Sequence, residues 1–337
     1  MKLLNRVILK LSLISLAAVG FSENSDANVY SYTHACMGTE FKLLIHSNRP
    51  AREVNEVALS AFILADRLDN KFSDYSAESE VSKFNEFEAN VPFKLSRDLL
   101  DLLITSKQFH TKTNNAFEPA SGALTRLWRL SKRTGTSPKS EDLISAIEAS
   151  SSNNLLIDKK NKTLTKTNKL TRLDFGGIAK GLAADKMMHH LKKSNFDSCS
   201  ISAGGDIIVG SPPPGKKFWK VKIRPYGNSI IGEFNVNLSN AAVSTSGSIE
   251  QSVTINEKKY SHIINPKKGL GLESNISVTV ISKKATTTDA LATSICILGK
   301  DGLEILQNYP ETEASVIDLT KEETLLIKSE GFSKYLD

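Results

Sequence analysis

Leu173-Asp174-Phe175-Gly176-Gly177-Ile178-Ala179-Lys180-Gly181 lies near the middle of the 337-residue chain and divides it into halves of different character. The run is extended up to an acidic residue, turns on two glycines and enters a helix expected over Ile178–Lys193. Upstream, helical patterns dominate. Val54, Val57, Ala58, Ala61, Leu64 and Leu68 repeat at helical spacing over Glu53–Leu68. After the loop Phe72-Ser73-Asp74-Tyr75 comes a short helix ending near Phe84. Ser96 reads as the N-cap of a helix through Leu99, Leu100, Leu103 and Ile104, and Ser140–Ser151 suggests another. Asn154–Leu173 alternates around Lys159–Lys162 as a hairpin would, and Tyr30–His46 reads as extended. Downstream, strands dominate: Ser198–Val209, Phe218–Arg224, Gly232–Leu238, His262–Ile264 and Asn275–Ile281. A helical pair, Asp289–Ile297 and Gly302–Gln307, and a strand near Ala314–Leu319 follow. Strands in blocks, without regular alternation with helices, indicate an α+β fold.

The composition is globular, with 40% hydrophobic residues and a net charge of +6. Lys2, Arg6 and Lys10 belong to the first 22 residues, which contain no acid, so residues 23–337 carry +3. Lysines and arginines are interspersed with acids and form no stripe, which argues against nucleic acid. MKLLNRVILKLSLISLAAVGF has a basic start and an apolar run of signal-peptide length, so residues 1–27 are expected to be a signal peptide cleaved near 22 or 27. Residues 28–337 then form the mature domain, exported to the periplasm or the outer face of the inner membrane. An uncleaved anchor is the alternative reading. Cys36, Cys199 and Cys296 are too few and too widely spaced for a disulfide framework or a zinc pattern.

Several segments could carry chemistry. The turn at Gly176-Gly177 would let a phosphate approach backbone N–H groups at a helix start, with Lys180 adding charge, or it is an ordinary strand-to-helix turn. It matches neither the Walker pattern nor GxGxxG. Thr286-Thr287-Thr288-Asp289-Ala290-Leu291-Ala292-Thr293 sets Asp289 and Thr293 on one helix face, hard oxygen donors suited to Mg²⁺, unless Thr288 or Asp289 only caps that helix. His262, in Ser261-His262-Ile263-Ile264-Asn265-Pro266, has a side chain that can take a proton near neutrality or serve as a structural hydrogen-bonding group. Ser202-Ala203-Gly204-Gly205-Asp206 and Ser244-Thr245-Ser246-Gly247 could admit a flat ring or a phosphate, or be bulges. No G-x-S-x-G elbow is present, which argues against a serine hydrolase.

Taken in order, these segments resemble the FAD:protein FMN transferase (ApbE-like) family. The landmarks are Met37-Gly38-Thr39; Ser73-x-Tyr75 with Ser79-Glu80 and Asn85; Phe117-Glu118-Pro119; Asp174–Gly181 with Asp185; Gly204-Gly205-Asp206; Ser244–Gly247; His262–Pro266; and Asp289–Thr293. The resemblance implies two intimately packed α+β subdomains, T-fold-like, with FAD in the cleft between them. It implies Mg²⁺-dependent transfer of FMN from FAD to a Thr or Ser hydroxyl of an exported acceptor flavoprotein, with AMP released. Acceptors of the family carry a Ser/Thr-Gly-Ala-Ser/Thr motif, as in subunits of the sodium-translocating NADH:quinone reductase and its Rnf relatives.

By the same resemblance Asp289 and Thr293 are metal ligands, with a backbone carbonyl at Ala179 as the third. His262 is the general base. Met37, Tyr75, Glu118, Asp174, Lys180, Asp185, Gly205, Thr245 and Ile264 line the flavin and adenosine pockets. The family pattern has Asp at the positions of Asn265 and Glu118. Some family members hydrolyse FAD and the metal site alone does not separate the two activities, which leaves a metal-dependent FAD pyrophosphatase as one alternative; the loss of charge at Asn265 leaves a non-catalytic FAD-binding protein as another. Ser121-Gly122-Ala123-Leu124 resembles an acceptor motif, but Leu124 stands where the hydroxyl belongs.

Overall fold

The computed structural model describes residues 27–226, 232–247, 252–255, 258–319 and 325–337. The expected signal segment therefore lies outside the described residues, apart from Ala27. Among the described residues no helix is long and apolar enough to cross a membrane.

The stretch expected to be extended over Tyr30–His46 is a hairpin of β1 (Asn28–Cys36) and β2 (Thr39–Ser47), paired over their whole length. Met37 (φ 51°) and Gly38 (φ 71°) turn it, both in the left-handed region that two-residue hairpin loops require. Next comes α1 (Ala51–Phe72), longer than its apolar spacing predicts, burying Val54, Val57, Ala58, Ala61, Phe62, Ala65, Leu68 and Phe72. Ser79 caps α2 (Glu80–Glu86) through the Ser82 N–H. Beyond β3 (Phe93–Lys94), Ser96 caps α3 (Arg97–Lys112) through the Leu99 N–H, as its sequence context predicts. No pattern in the sequence analysis marked α4 (Gly122–Thr134), which ends on Gly135 in the left-handed conformation; α5 (Ser140–Ala149) falls where expected. The expected hairpin is β4 (Leu155–Asp158) with β5 (Thr163–Lys166), and β3 joins it to make a small sheet ordered β3-β5-β4.

After the Gly-Gly turn runs α6 (Ala179–Lys193). The expected strand Ser198–Val209 is two strands, β6 (Cys199–Ala203) and β7 (Asp206–Val209), because Gly204 (φ 62°) and Gly205 (φ 108°) reverse the chain between them. A separate hairpin of β8 (Trp219–Ile223) and β9 (Phe234–Leu238) leads into β10 (Ala241–Gly247). Two short pairs follow, β11 (Ser252–Ile255) with β12 (Lys258–Ser261) and β13 (Ile264–Asn265) with β14 (Leu270–Gly271). The chain closes with β15 (Ile276–Ser282), α7 (Ala285–Leu298), a 3₁₀ segment Gly299–Asn308, β16 (Glu313–Asp318), β17 (Leu325–Lys328) and a last 3₁₀ turn at Glu330–Tyr335.

Eight strands form one antiparallel sheet in the order β1-β2-β6-β7-β10-β15-β16-β17. Successive side chains of a strand point to opposite faces, and both faces are covered. Ile208, Ala242 and Val280 join the core beneath α1, α6 and α7, whereas Val209, Val243 and Ile281 pack with Val236, Leu238 and Phe332 beneath the β8–β9 hairpin. The second unit comprises α2–α5 and the small sheet. Its Leu99, Leu103 and Leu164 belong to the same continuous core as Ile201 and Val280, so the two units are intimately packed and the fold is α+β, as expected. Helices α6 and α7 meet at Gly181, where a Cβ would lie 2.3 Å from the Ala285 carbonyl oxygen.

Candidate active site

The Gly-Gly turn is set by a buried clamp. Asn85 Oδ1 accepts the Leu173 N–H at 2.6 Å and Asn85 Nδ2 donates to the Leu173 carbonyl at 3.0 Å, which pins the residue before Asp174. The buried Lys166 ammonium donates to the Asn85 carbonyl at 2.8 Å. Asp174 then gives its N–H to the Pro119 carbonyl (3.0 Å) and accepts the Gly176 N–H on Oδ1 (2.8 Å), so the chain bends tightly before α6 begins.

At the start of α6 the Lys180 ammonium sits 3.2 Å from Asp206 Oδ2 and 3.5 Å from Asp289, and donates to the Gly176 carbonyl at 3.2 Å. Asp289 is buried on α7 and accepts the Gly181 N–H at 3.1 Å. Thr293 lies one turn further along α7. A Cβ built on Gly177 would come 3.1 Å from the Thr293 hydroxyl oxygen, so the turn, the start of α6 and the Asp289/Thr293 face meet at one point. Ser244 of β10 and Thr288 share a buried 2.7 Å hydrogen bond that ties the sheet to the first turn of α7.

Burial pushes the Asp289 carboxyl up to about 7, and the charge of Asp206 adds to that; Lys180 and the Gly181 N–H oppose it. Burial alone would lower the Lys180 ammonium, but Asp206 and Asp289 outweigh it and hold the group above its ordinary range. Asp206 Oδ2 has no aligned hydrogen-bond donor, although the ammonium is close. Two buried carboxylates around one ammonium, beside a hydroxyl and the N-terminal end of a helix, form a site of hard oxygen donors.

A second cluster borders the turn. Arg129 of α4 reaches both oxygens of Asp74, at 2.5 and 3.3 Å, and lies 3.9 Å from Asp174 Oδ2. Its guanidinium carbon stands 4.0 Å from the centre of the Tyr75 ring, and Tyr75 is 80% exposed. Burial and then the charge of Asp174 raise the Asp74 carboxyl, more than Arg129 lowers it.

The other candidates fall into three groups. Met37 and Gly205 occupy hairpin turns that lie side by side, because Phe41 pairs with Ala203 and a Cβ on Gly204 would strike Thr39. Thr245 continues that rim: Asp206 pairs with Ser244, and the Thr245 hydroxyl meets Thr279 at 3.1 Å. Asp185 and Glu118 serve the framework. Asp185 accepts the Ala285 and Thr286 N–H groups and caps α7; burial raises its carboxyl despite these donors. Glu118 accepts the Ala120 and Ser152 N–H groups and the Ser152 hydroxyl. Its carboxylate also lies 3.3 Å from His110 Nδ1. His262 is exposed between β12 and β13, and Ile264 is half-buried in β13. Asn265 Oδ1 accepts the Lys267 and Lys268 N–H groups across Pro266, a turn bond that a carboxylate would make equally well. Ala179 opens α6 and is buried.

Two participants are absent from the sequence-derived site residues. Asp206 stood there only as the end of a glycine motif, and Arg129 sits within a helix that no pattern had marked. Nothing local to Arg129 points to Asp74, 55 residues away. Ser121-Gly122-Ala123-Leu124 starts α4, with Gly122 and Leu124 buried and the Gly122 N–H bonded to the Arg172 carbonyl, so it is no accessible acceptor.

A family model described as the ApbE family matches residues 37–316. A protein of Chlamydia muridarum named FAD:protein FMN transferase is 32% identical over 235 residues, which cover 68% of this chain and 72% of the relative. One of the same name from Treponema pallidum is 28% identical over 304 residues, 86% of this chain and 84% of its own. Among solved structures, the flavin transferase ApbE from Vibrio cholerae superposes with a TM-score of 0.82 over 92% of this chain and 100% of its own; at 23% identity this likeness speaks to the fold.

Proposed function

The chain belongs to the ApbE family, and from that premise we propose that it is an exported, Mg²⁺-dependent FAD:protein FMN transferase. The observation that carries the reading is the meeting of the Gly176-Gly177 turn, the start of α6, Lys180, Asp206, Asp289 and Thr293 at one point. Backbone N–H groups at the start of α6 and the Lys180 ammonium suit the pyrophosphate of FAD. Among the described residues no group of three or more His, Cys, Asp and Glu could hold a metal. The donors here are of another kind: the Asp289 carboxylate, the Thr293 hydroxyl and a carbonyl of the turn, which in our reading is that of Ala179. This hard set fits Mg²⁺. A bound Mg²⁺ would screen the phosphate charges and ease departure of the AMP phosphate.

In the proposed reaction the acceptor's Ser or Thr oxygen bonds to the flavin-side phosphorus. The bond from that phosphorus to the bridging oxygen breaks, AMP leaves with the bridging oxygen, and His262 takes the hydroxyl proton. The exposure of His262 suits a base that must meet an incoming protein segment. Met37, Gly205, Thr245 and Ile264 would border the nucleotide, and Tyr75 would face the flavin. The acceptor is read as an exported flavoprotein with a Ser/Thr-Gly-Ala-Ser/Thr segment, such as a subunit of a sodium-translocating NADH:quinone reductase or Rnf complex.

The test is incubation of the purified chain with FAD, Mg²⁺ and such an acceptor, read by intact mass. The acceptor should gain one FMN. D289N keeps the shape of the side chain and leaves Lys180 paired with Asp206, so it should lower transfer on the order of a hundredfold or more while the protein stays folded. AMP released at the same rate without acceptor would instead assign a pyrophosphatase, and FAD binding without any AMP a binding protein.

A further inference from the structure

We propose that Arg129 is a positioning residue that holds the Tyr75 ring as a shelf for the flavin ring of FAD. The inference rests on the FAD reading above and extends it to a residue outside the phosphate site. Tyr75 is 80% exposed, so packing does little to select its rotamer, yet a guanidinium lies 4.0 Å from its ring centre. The ring is thereby backed on one face by a cation and left to solvent on the rest. A planar, electron-poor ligand can stack on such a surface.

The guanidinium is itself held in place. Asp74, the neighbour of Tyr75, takes it with both oxygens at 2.5 and 3.3 Å, and Asp174 stands 3.9 Å away. A fork bound at two points has little freedom, so it gives the ring above it a fixed neighbour. Asp174 also accepts the Gly176 N–H at 2.8 Å. The glycine turn thus keeps its own bonds through Asp174 whether or not Arg129 is present, and what Arg129 holds is the aromatic shelf. Without it, Asp74 and Asp174 would face each other uncompensated and Tyr75 would lose the contact that fixes its orientation. Lysine keeps the charge near both carboxylates but lacks the flat fork that lies under the ring.

The experiment measures equilibrium affinity for FAD and for ADP, which lacks the flavin, with the full chain in wild-type, R129A, R129K, Y75A and R129A/Y75A forms. Quenching of flavin fluorescence on binding serves as the second readout. Y75A and R129A should each weaken FAD about fivefold to tenfold and leave ADP within twofold. The double variant should be no weaker than Y75A, because Arg129 acts through Tyr75. R129K should keep its thermal midpoint yet lose part of the flavin quenching, and it decides the matter if R129A does not fold. Equal losses for FAD and ADP, additive losses in the double variant, or an R129K protein indistinguishable from wild type would overturn the proposal. Wild-type protein that binds no FAD would overturn the transferase reading along with it, whereas wild-type FAD binding with an unaffected R129K protein overturns this inference alone.

Discussion

At the level of single residues, the Lys180–Asp206–Asp289 cluster, proposed here as part of the FAD and metal site, carries a liability. Two carboxylates share one ammonium in a buried place, and Asp289 is already pushed up to about 7. Removing the ammonium raises the Asp289 carboxyl further, because Lys180 is what opposes its rise. A carboxyl whose folded pKa lies above its unfolded value supports folding at low pH and loses that support as pH rises through the folded pKa. K180M should therefore cost about 3 kcal/mol at pH 8 and distinctly less at pH 5, measured by denaturant unfolding with a chelator present. An equal loss at both pH values would contradict this account. Asn265 gives the opposite case. Its side-chain oxygen closes a turn across Pro266, which aspartate also does, so N265D should fold as the wild type does and transfer within about threefold of it. A gain of tenfold or more in transfer would show instead that the missing charge matters to His262.

Between elements, the decisive contact is α6 on α7. Gly181 lets the two helices approach until the Ala285 carbonyl lies where a side chain would begin, and Asp185 caps α7 from one turn along α6. These two residues hold Asp289 against the N-terminal end of α6. G181A should cost about 3 kcal/mol and also lower metal-dependent activity, since the added methyl group pushes Asp289 away from Lys180. Thermal unfolding and transfer assays on the same sample test both effects. An activity that falls with no loss of stability would mean that the close approach is not what sets the site. Much at this scale was legible in advance. The Ser96 cap, the extent of α5 and α6 and the β4–β5 hairpin follow from local chemistry. Helix α4 was not legible, because the face it buries, Gly122, Leu124, Trp128 and Ser131, holds only two large apolar residues and so leaves a weak helical pattern.

For the molecule as a whole, the sheet and its helices enclose all the cysteines. Cys36, Cys199 and Cys296 are free and buried, so they serve as packing residues. Burial pushes the Cys199 and Cys296 thiols up to about 12, and burial with the charges of Asp69 and Asp66 raises Cys36 as well. Only the thiolate reacts, so at pH 8 the native chain should resist alkylation, and all three thiols should react once denaturant unfolds it. Rapid labelling of the native protein would refute the packing described. The sequence alone determined the fold class, the glycine turn, and the shared face of Asp289 and Thr293, because turns, caps and helical spacing are governed by neighbours a few residues apart. Family likeness extended this to FAD. Only the tertiary structure decided that Lys180 stands between Asp206 and Asp289, that Arg129 lies under Tyr75, and that Asp185 and Glu118 serve as anchors. Those pairs join residues tens of positions apart. Strand order, register and helix packing bring them together, and no local pattern encodes that closure.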